Sequence, residues 1–278
     1  MCVDQPVNLE AYFDRVGYSG PREASLATLG ALHALHPAAI PFENLDPLLG
    51  RRVRLDLESV QRKLLSSRRG GYCYEHNGLF AAVLTALGFR LTTLAARVVY
   101  GRLNPAGARR SHMLLKIDMP DGTYLADVGF GGQSPSAPLR LDTTIEQRTP
   151  HGLYRISRQG DWFELIAQMD GEWRALYRFT LEEQSPEDHE MANWYVSTHP
   201  DSEFRTLLFV ARNPPGKRLT LLGNQFTIRD LSGASETRVL GSPEEIASVL
   251  EQDFLIHLPQ PRNELLPALA RAAMASRE

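Results

Sequence analysis

The run Arg69-Gly70-Gly71-Tyr72-Cys73-Tyr74-Glu75-His76-Asn77 sets one of the chain's two cysteines behind a pair of glycines and at the head of a helix-like pattern. Leu79, Phe80, Val83, Leu84 and Leu87 follow at helical spacing, and Gly88 suits the stop. A thiol at a helix N-terminus faces unpaired backbone N–H groups and the positive end of the helix dipole, both of which favour thiolate over thiol. The two glycines leave the approach to the sulfur free of side chains. By position and type alone Cys73 also reads as a small buried hydrophobe, since free cysteine is among the most buried residue types. Residues further along decide between the two readings.

Upstream of this run the pattern is helical. Leu9, Tyr12, Phe13 and Val16 form a stripe with Asn8 as cap and Gly17 as stop. Leu26, Leu29, Leu32 and Leu35 form a second, ended by Pro37, and Asp56 caps a third helix with Leu57, Val60 and Leu64 facing inward. From about residue 90 the period becomes two. Leu91–Tyr100, Met113–Asp118, Tyr124–Phe130, Tyr154–Arg158 and Trp162–Gln168 read as strands, with Asp121-Gly122, Gly160-Asp161 and Asp170-Gly171 as hairpin turns. Ser185-Pro186-Glu187-Asp188 opens a connecting helix that ends near His199-Pro200. Strands at Thr206–Arg212 and on both sides of Gly223-Asn224 follow, then a helix capped by Ser242 and a final helix after Asn263. The expected fold class is α+β: a helical unit over 1–89, an antiparallel β-barrel unit over 90–184, a connecting helix over 185–204 and an α/β lid over 205–278.

Hydrophobic residues make up 43% and charged residues 23% of the 278, the balance of a soluble globular chain able to bury a sizeable core. A formal charge of −3 gives no reason to expect nucleic acid or an anionic membrane as partner. Met1-Cys2-Val3-Asp4 lacks the pattern of a signal peptide, and the apolar run Leu79–Phe89, broken by Thr85 and Gly88, is far short of a membrane span. With only Cys2 and Cys73 available, a reducing cytoplasm is a simpler setting than a disulfide between them. Nothing in the sequence speaks to oligomeric state.

A lone reactive cysteine needs a base. His33 and His36 share a helix at helical spacing, but no third ligand or HExxH pattern accompanies them, so they read as helix-surface residues and no metal is expected. His76 is close to Cys73 but has no local partner to orient it. His112 is the better choice: it opens the strand Ser111–Ile117, and Asp127 lies in the return strand Tyr124-Leu125-Ala126-Asp127-Val128. A buried carboxylate needs a partner, and an imidazole suits it. Asp127 also reads as a strand-end acid paired with an arginine. A two-residue turn at Asp121-Gly122 sets Asp127 opposite Lys116 and roughly 13 Å from His112. A register centred nearer Met119-Pro120, or a bulge, brings them opposite, and the sequence leaves both open. Glu43 and Arg69 lie beside apolar residues and are expected to pair beneath the site.

Four blocks together carry a specific resemblance: Pro41-Phe42-Glu43-Asn44-Leu45, Arg69-Gly70-Gly71-Tyr72-Cys73, His112 with its apolar strand, and Asp127-Val128-Gly129-Phe130-Gly131-Gly132. A fifth, Asn193-Trp194-Tyr195-Val196-Ser197-Thr198-His199-Pro200, follows in order. The chain resembles the arylamine N-acetyltransferases. The resemblance implies a Cys73–His112–Asp127 triad in a core like that of papain-type proteases and transglutaminases. It also implies acetyl-CoA as acyl donor and ping-pong transfer to arylamines or arylhydrazines, with the oxygen of N-hydroxyarylamines as a further acceptor. Tyr74 and His76 depart from many relatives and bear on acceptor preference. Phe42, Phe130 and Phe204 are candidates to line an apolar acceptor slot. Gly131 and Gly132 are candidates for close approach to the CoA pyrophosphate, with Arg109, Arg110, Lys217 and Arg218 as basic candidates. Rival readings with the same three residues are a hydrolase, a transglutaminase and an amide synthase that closes macrolactams. A binding module that keeps only the fold is a further rival.

Overall fold

The structure is a computed structural model and describes residues 6–102 and 107–275. Cys2, and with it any pairing to Cys73, lies outside the described residues. The amino-terminal third is helical: α1 (Leu9–Val16), α2 (Leu26–Ala39), the short α3 (Leu45–Leu48), α4 (Leu57–Gln61) with a π turn at Arg62–Ser66, and α5 (Cys73–Ala86). Asn8, Ser25 and Asp56 cap α1, α2 and α4 by accepting backbone N–H groups, as short polar side chains at helix starts do. Pro37 does not end α2. It sits in the last turn, where it forfeits one bond to the His33 carbonyl, and Ile40 N–H still closes on His36 O.

Eight antiparallel strands follow: β2 (Arg90–Val98), β3 (Arg110–Met119), β4 (Gly122–Ala126), β5 (Leu139–Arg140), β6 (Gln147–Thr149), β7 (Gly152–Gln159), β8 (Trp162–Met169) and β9 (Glu172–Phe179). Their order is β5-β4-β3-β2-β9-β8-β7-β6. The two edge strands meet through one side chain. Gln147 Oε1 accepts from Arg140 N at 2.7 Å and its Nε2 donates to Arg140 O at 3.0 Å, so an amide stands in for a ladder bond and the barrel nearly closes. Gly160-Asp161 and Asp170-Gly171 form the expected hairpin turns.

The β3–β4 turn differs from the Asp121-Gly122 expectation. Met119 pairs with Gly122 and Leu115 with Ala126, so the turn residues are Pro120-Asp121. Proline's fixed φ suits the first central position of a turn, and here it outweighs the Asp-Gly signal. A β-bulge interrupts β2–β3: Ala96 pairs with His112 and Arg97 with Arg110, leaving Ser111 as the extra residue.

The connecting helix α6 (Pro186–Thr198) is capped by Ser185 and Asp188. Beyond it lie β10 (Phe209–Arg212), β11 (Lys217–Leu222), β12 (Gln225–Asp230), β13 (Ser235–Val239), α7 (Pro243–Gln252) and α8 (Arg262–Met274). Their sheet has a fifth member from the other end of the chain: β1 (Phe42–Glu43) pairs with β10. Asn44 secures that junction, donating to Phe204 O and Leu207 O and accepting from Phe209 N, at 2.9, 2.8 and 2.8 Å. Three apolar cores result. One fills the barrel around Leu114, Leu125, Tyr154 and Phe179. A second packs α7 and α8 on the carboxy-terminal sheet. The third packs Leu79, Phe80 and Val83 of α5 against Met113, Leu115 and Ile117 on the outer face of β3. Helix α5 is thereby laid along β3, the strand that carries His112.

Candidate active site

Cys73 is the first residue of α5, and Tyr72 is its N-cap. The N–H groups of a helix's first turn have no intrahelical acceptors, so those of Cys73 and Tyr74 are available to an external oxygen. Glu75, at the third helical position, reaches back to take the Tyr72 N–H at 3.1 Å and fixes the entry into the helix. The Cys73 side chain is 4% exposed. Its Sγ donates toward Ser111 O, the carbonyl of the bulge residue next to His112, at 3.7 Å, and the neighbouring Cys73 is among the influences that raise the His112 pKa.

His112 Nε2 donates to Asp127 Oδ2 at 2.7 Å. A carboxylate only accepts, so Nε2 carries the proton and Nδ1 is the atom left for the thiol. The corrected hairpin register is what allows this. The chain leaves β4 after Ala126, and Asp127 turns inward where the face of β3 presents His112. The roughly 13 Å separation expected from the Asp121-Gly122 turn is thus replaced by direct contact, and Asp127's partner is the imidazole and not an arginine.

Asp127 is fully buried. Desolvation works against its charge, and four donors answer it. Oδ1 accepts from Asn77 Nδ2 at 3.0 Å and Gly129 N at 2.9 Å, and Oδ2 accepts from His112 and, at 2.9 Å, from Tyr177 Oη. Against burial, the His112 charge and these bonds hold its pKa below the ordinary value. His112 shows the converse: burial acts to lower its pKa, but the Asp127 charge, the bond to it and the Cys73 contact raise it to about 10. The ring is flanked by Tyr177 and Phe130, with centroids at 4.9 and 5.0 Å.

Asn77, one helical turn beyond Cys73, joins the two halves of this arrangement. Its Nδ2 also donates to Met113 O at 2.7 Å, and its Oδ1 accepts from Val128 N at 3.1 Å. Gly129 permits the approach. A Cβ there would stand 2.9 Å from both Cys73 Cα and Asn77 Nδ2.

Phe42 and Phe204 meet edge to face at 6.0 Å, and Phe204 meets Tyr72 at 5.5 Å. Phe130 lies apart from them, against His112, with Gly131 seated over the Phe42 ring between the two groups. Gly132 packs on Thr220, where a Cβ would come within 2.6 Å of Cγ2. Arg218 is not free for a ligand. It is buried, and its guanidinium donates to Gly132 O, Ser134 O at 3.2 Å, His151 O at 3.2 Å and Tyr154 Oη at 2.7 Å. Arg110 pairs with Glu182 at 3.1 Å, and Arg109 lies over the Tyr195 ring at 4.8 Å. Both line a groove of about 350 Å³ that runs along α6 to Ser111.

Beneath the site, Arg69 pairs with Glu43 at 2.7 Å and Asp46 at 3.2 Å, while Lys63 pairs with Asp46 at 2.6 Å and Glu75 at 2.7 Å. This cluster holds three carboxylates against two cations. Burial places the excess on Glu75, whose carboxyl is pushed up to about 7 despite Lys63. His33 and His36 are not helix-surface residues: both are fully buried. His33 Nε2 accepts the Asp127 N–H at 3.0 Å. His76, expected to lack an orienting partner, bonds His36 at 2.9 Å and Pro41 O at 3.2 Å. No group of three or more His, Cys, Asp or Glu is placed to hold a metal among the described residues.

Sequence reasoning passed over Asn77, Tyr177 and His33. A signal for Asn77 was present, because a polar residue among the apolar positions of a buried helix must find partners.

A family model described as N-acetyltransferase matches residues 25–263. The arylamine N-acetyltransferase of Mycolicibacterium smegmatis is 44% identical over 256 residues, covering 91% of this chain and 93% of that protein. The arylamine N-acetyltransferase of Escherichia coli K12 is 42% identical over 247 residues, covering 88% of each. The solved structure of Mycobacterium marinum arylamine N-acetyltransferase in complex with CoA superposes with a TM-score of 0.93 at 38% identity, covering 96% of this chain and all of that one.

Proposed function

This chain belongs to the arylamine N-acetyltransferase family, and from that membership we propose how its residues carry the transfer. The reaction is acetyl transfer from acetyl-CoA to the nitrogen of arylamines. In our reading the helical unit supplies the nucleophile Cys73, the barrel unit supplies His112 and Asp127, and the carboxy-terminal sheet borders the acceptor through β1.

His112 Nδ1 takes the Cys73 proton, and the sulfur attacks the thioester carbon of acetyl-CoA. The first-turn N–H groups of α5 receive the developing oxyanion. The tetrahedral intermediate collapses with cleavage of the carbon–sulfur bond to CoA. His112 returns the proton to the departing CoA thiol, and an acetyl-Cys73 thioester remains. A neutral arylamine then attacks that carbonyl, His112 accepts the N–H proton, and Cys73 is expelled as the amide leaves. Hydrazine nitrogens and the oxygen of N-hydroxyarylamines can take the same place. Asp127 keeps the imidazole in one orientation and balances its charge throughout. Phe42, Phe130 and Phe204 form the apolar acceptor slot. Gly131, Gly132, Arg109, Arg110 and Lys217 serve the CoA phosphates. No helix of the described residues is long and apolar enough to cross a membrane, and we place the enzyme in the cytoplasm, acting on small molecules and not on nucleic acid.

The observation that supports this reading is a thiol bonded to the carbonyl next to His112, whose ring is bonded in turn to an Asp127 held by four donors. The test is intact mass spectrometry after mixing with acetyl-CoA alone. The expected result is a stoichiometric gain of one acetyl group on Cys73, discharged by an arylamine. Steady CoA release without an amine would establish hydrolysis instead, and no adduct would refute the thioester.

A further inference from the structure

Three polar groups beneath the site take no part in the transfer just described. Tyr12 Oη lies 3.0 Å from His36 Nδ1, His36 Nε2 lies 2.9 Å from His76 Nδ1, and His76 Nε2 lies 3.2 Å from Pro41 O. Tyr12 and His36 are completely buried, and His76 is 1% exposed. The last contact fixes the direction of all three. A backbone carbonyl only accepts, so His76 Nε2 must carry a hydrogen. A neutral His76 then has a bare Nδ1, which accepts from His36 Nε2–H. His36 in turn has a bare Nδ1, which accepts the Tyr12 hydroxyl proton. Reversing the order would aim a nitrogen lone pair at the Pro41 oxygen. Burial keeps both rings in the neutral state the chain requires: it lowers His76 to about 4 and His36 well below the ordinary value.

The relay ends on the peptide group that joins Pro41 to Phe42. The Pro41 carbonyl also accepts Gly71 N–H at 3.3 Å, and Glu43 N–H returns to Gly71 O at 2.7 Å. The His76 ring is stacked on Phe42 at 6.4 Å with only 10° between the planes. His76 stands three residues after Cys73 on the same helix. Phe42 is therefore referred to the nucleophile's own helix twice, once through its backbone and once through its ring. Apolar side chains would fill this volume with no polar atoms to satisfy. Three fully partnered groups ending at one carbonyl are explained by what they position.

We infer that Tyr12, His36 and His76 are positioning residues for the acceptor: a one-way hydrogen-bonded relay that holds the Pro41–Phe42 wall of the slot in register with Cys73. The inference rests on the reading of Phe42 as part of the acceptor slot. In a ping-pong reaction, kcat/KM for acetyl-CoA reports only the first half-reaction and kcat/KM for the amine only the second. The relay acts on the second.

The test uses the full chain with His76→Leu, His76→Gln and Tyr12→Phe, assayed with acetyl-CoA and an arylamine. The expected result for His76→Leu is a fall of about tenfold in kcat/KM for the arylamine, with that for acetyl-CoA within about twofold of wild type. Glutamine, whose amide both accepts and donates, restores most of the loss. Should His76→Leu fail to fold, Tyr12→Phe deletes a single O–H donor and is expected to lower the arylamine constant about threefold while sparing the acetyl-CoA constant. Equal losses in both constants, or an unchanged arylamine constant in Tyr12→Phe or in a folded His76→Leu, would overturn the inference. Acetylation of wild-type Cys73 without amine is read in parallel. Its absence would refute the thioester reading, whereas its presence with an unaltered variant profile refutes only the relay.

Discussion

Replacing Asp127 by Asn keeps the side chain's shape and removes its charge. The amide cannot match the present hydrogen bonds. With its nitrogen at the Oδ2 position it would face His112 Nε2–H, a donor opposed to a donor. With its nitrogen at the Oδ1 position it would face Asn77 Nδ2 and Gly129 N, the donors now 3.0 and 2.9 Å away. The electrostatic loss is larger. Asp127 is the main influence that raises His112 to about 10, whereas burial alone would take it below 6.5. Losing a shift of roughly three pH units is on the order of 4–5 kcal/mol of imidazolium stabilisation. His112 is 3% exposed and Asp127 is 0% exposed, so solvent screening discounts this little. In the proposed reaction His112 must hold the thiol proton, so the acetylation rate should fall by about 10³-fold or more. The assay is a single-turnover time course of Cys73 acetylation at pH 7, followed by intact mass, with the melting temperature measured on the same sample. A folded Asp127→Asn variant that acetylates at the wild-type rate would refute the argument that the carboxylate sustains the charged ring.

Three further outcomes follow from the geometry. Gly129→Ala would drive a methyl group against Cys73 Cα and Asn77. Denaturant titration should show a loss of about 1–3 kcal/mol, with acetylation of Cys73 slowed in the same variant. Arg218→Met removes the guanidinium donor from Gly132 O, His151 O and the Tyr154 hydroxyl, while Ser134 O keeps only the Tyr154 hydroxyl. It should cost at least about 3 kcal/mol, and a melting temperature equal to wild type would show that the guanidinium is not structural. Acid stability provides the third. His33 and His76 are lowered to about 4 and His36 well below its ordinary value, so below pH 6.5 the unfolded chain takes up protons that the folded chain refuses. Stability from these groups is complete above pH 6.5 and is lost as pH falls, at about 1.4 kcal/mol per pH unit for each. Glu75, raised to about 7, works the other way and offsets one of them between pH 7 and 4.5. Urea titrations from pH 4.5 to 7 should show a slope for His76→Gln shallower by about one proton than wild type.

Much of the site was legible because its chemistry sits at element boundaries. A cysteine behind two glycines at a helix head, and a histidine opening a strand, are visible in one dimension. The pairing of His112 with Asp127 was legible as chemistry but not as geometry. Register changes with a single residue of turn, and Pro120 moved the turn by one. The two-residue strand β1 gave no periodic signal, and its partner lies more than 160 residues away in the chain. The buried histidines left a signal that the search for metal spacing obscured. Leu29, Leu32, His33 and His36 stand at i, i+3, i+4 and i+7, which is one helical face, and that face is buried. Arg218 was read as a basic candidate for the CoA pyrophosphate because its main partners are carbonyls, and backbone acceptors leave no mark in the sequence.

The same carboxylate explains why the proposed chemistry requires the barrel and the helical region to be assembled together. Asp127 could not remain ionised in this interior on one hydrogen bond. Its four donors come from α5, from β3, from the turn after β4 and from β9. Strand β9 reaches His112 only because the sheet curls: β2 lies between β9 and β3 in the ladder, and curvature brings Tyr177 over the imidazole. With Tyr177 on one side and Phe130 on the other, rotation of the ring about its own bond would expel Nε2 from Asp127 and bury an unpaired N–H. The ring therefore keeps one orientation, with Nε2 on Asp127 and Nδ1 left for the proposed exchange with Cys73. The sulfur's position is set independently, by Asn77 and Gly129 holding α5 against residues 127–129. Any substitution that flattens the sheet near β9 should therefore disable the thiol without touching it.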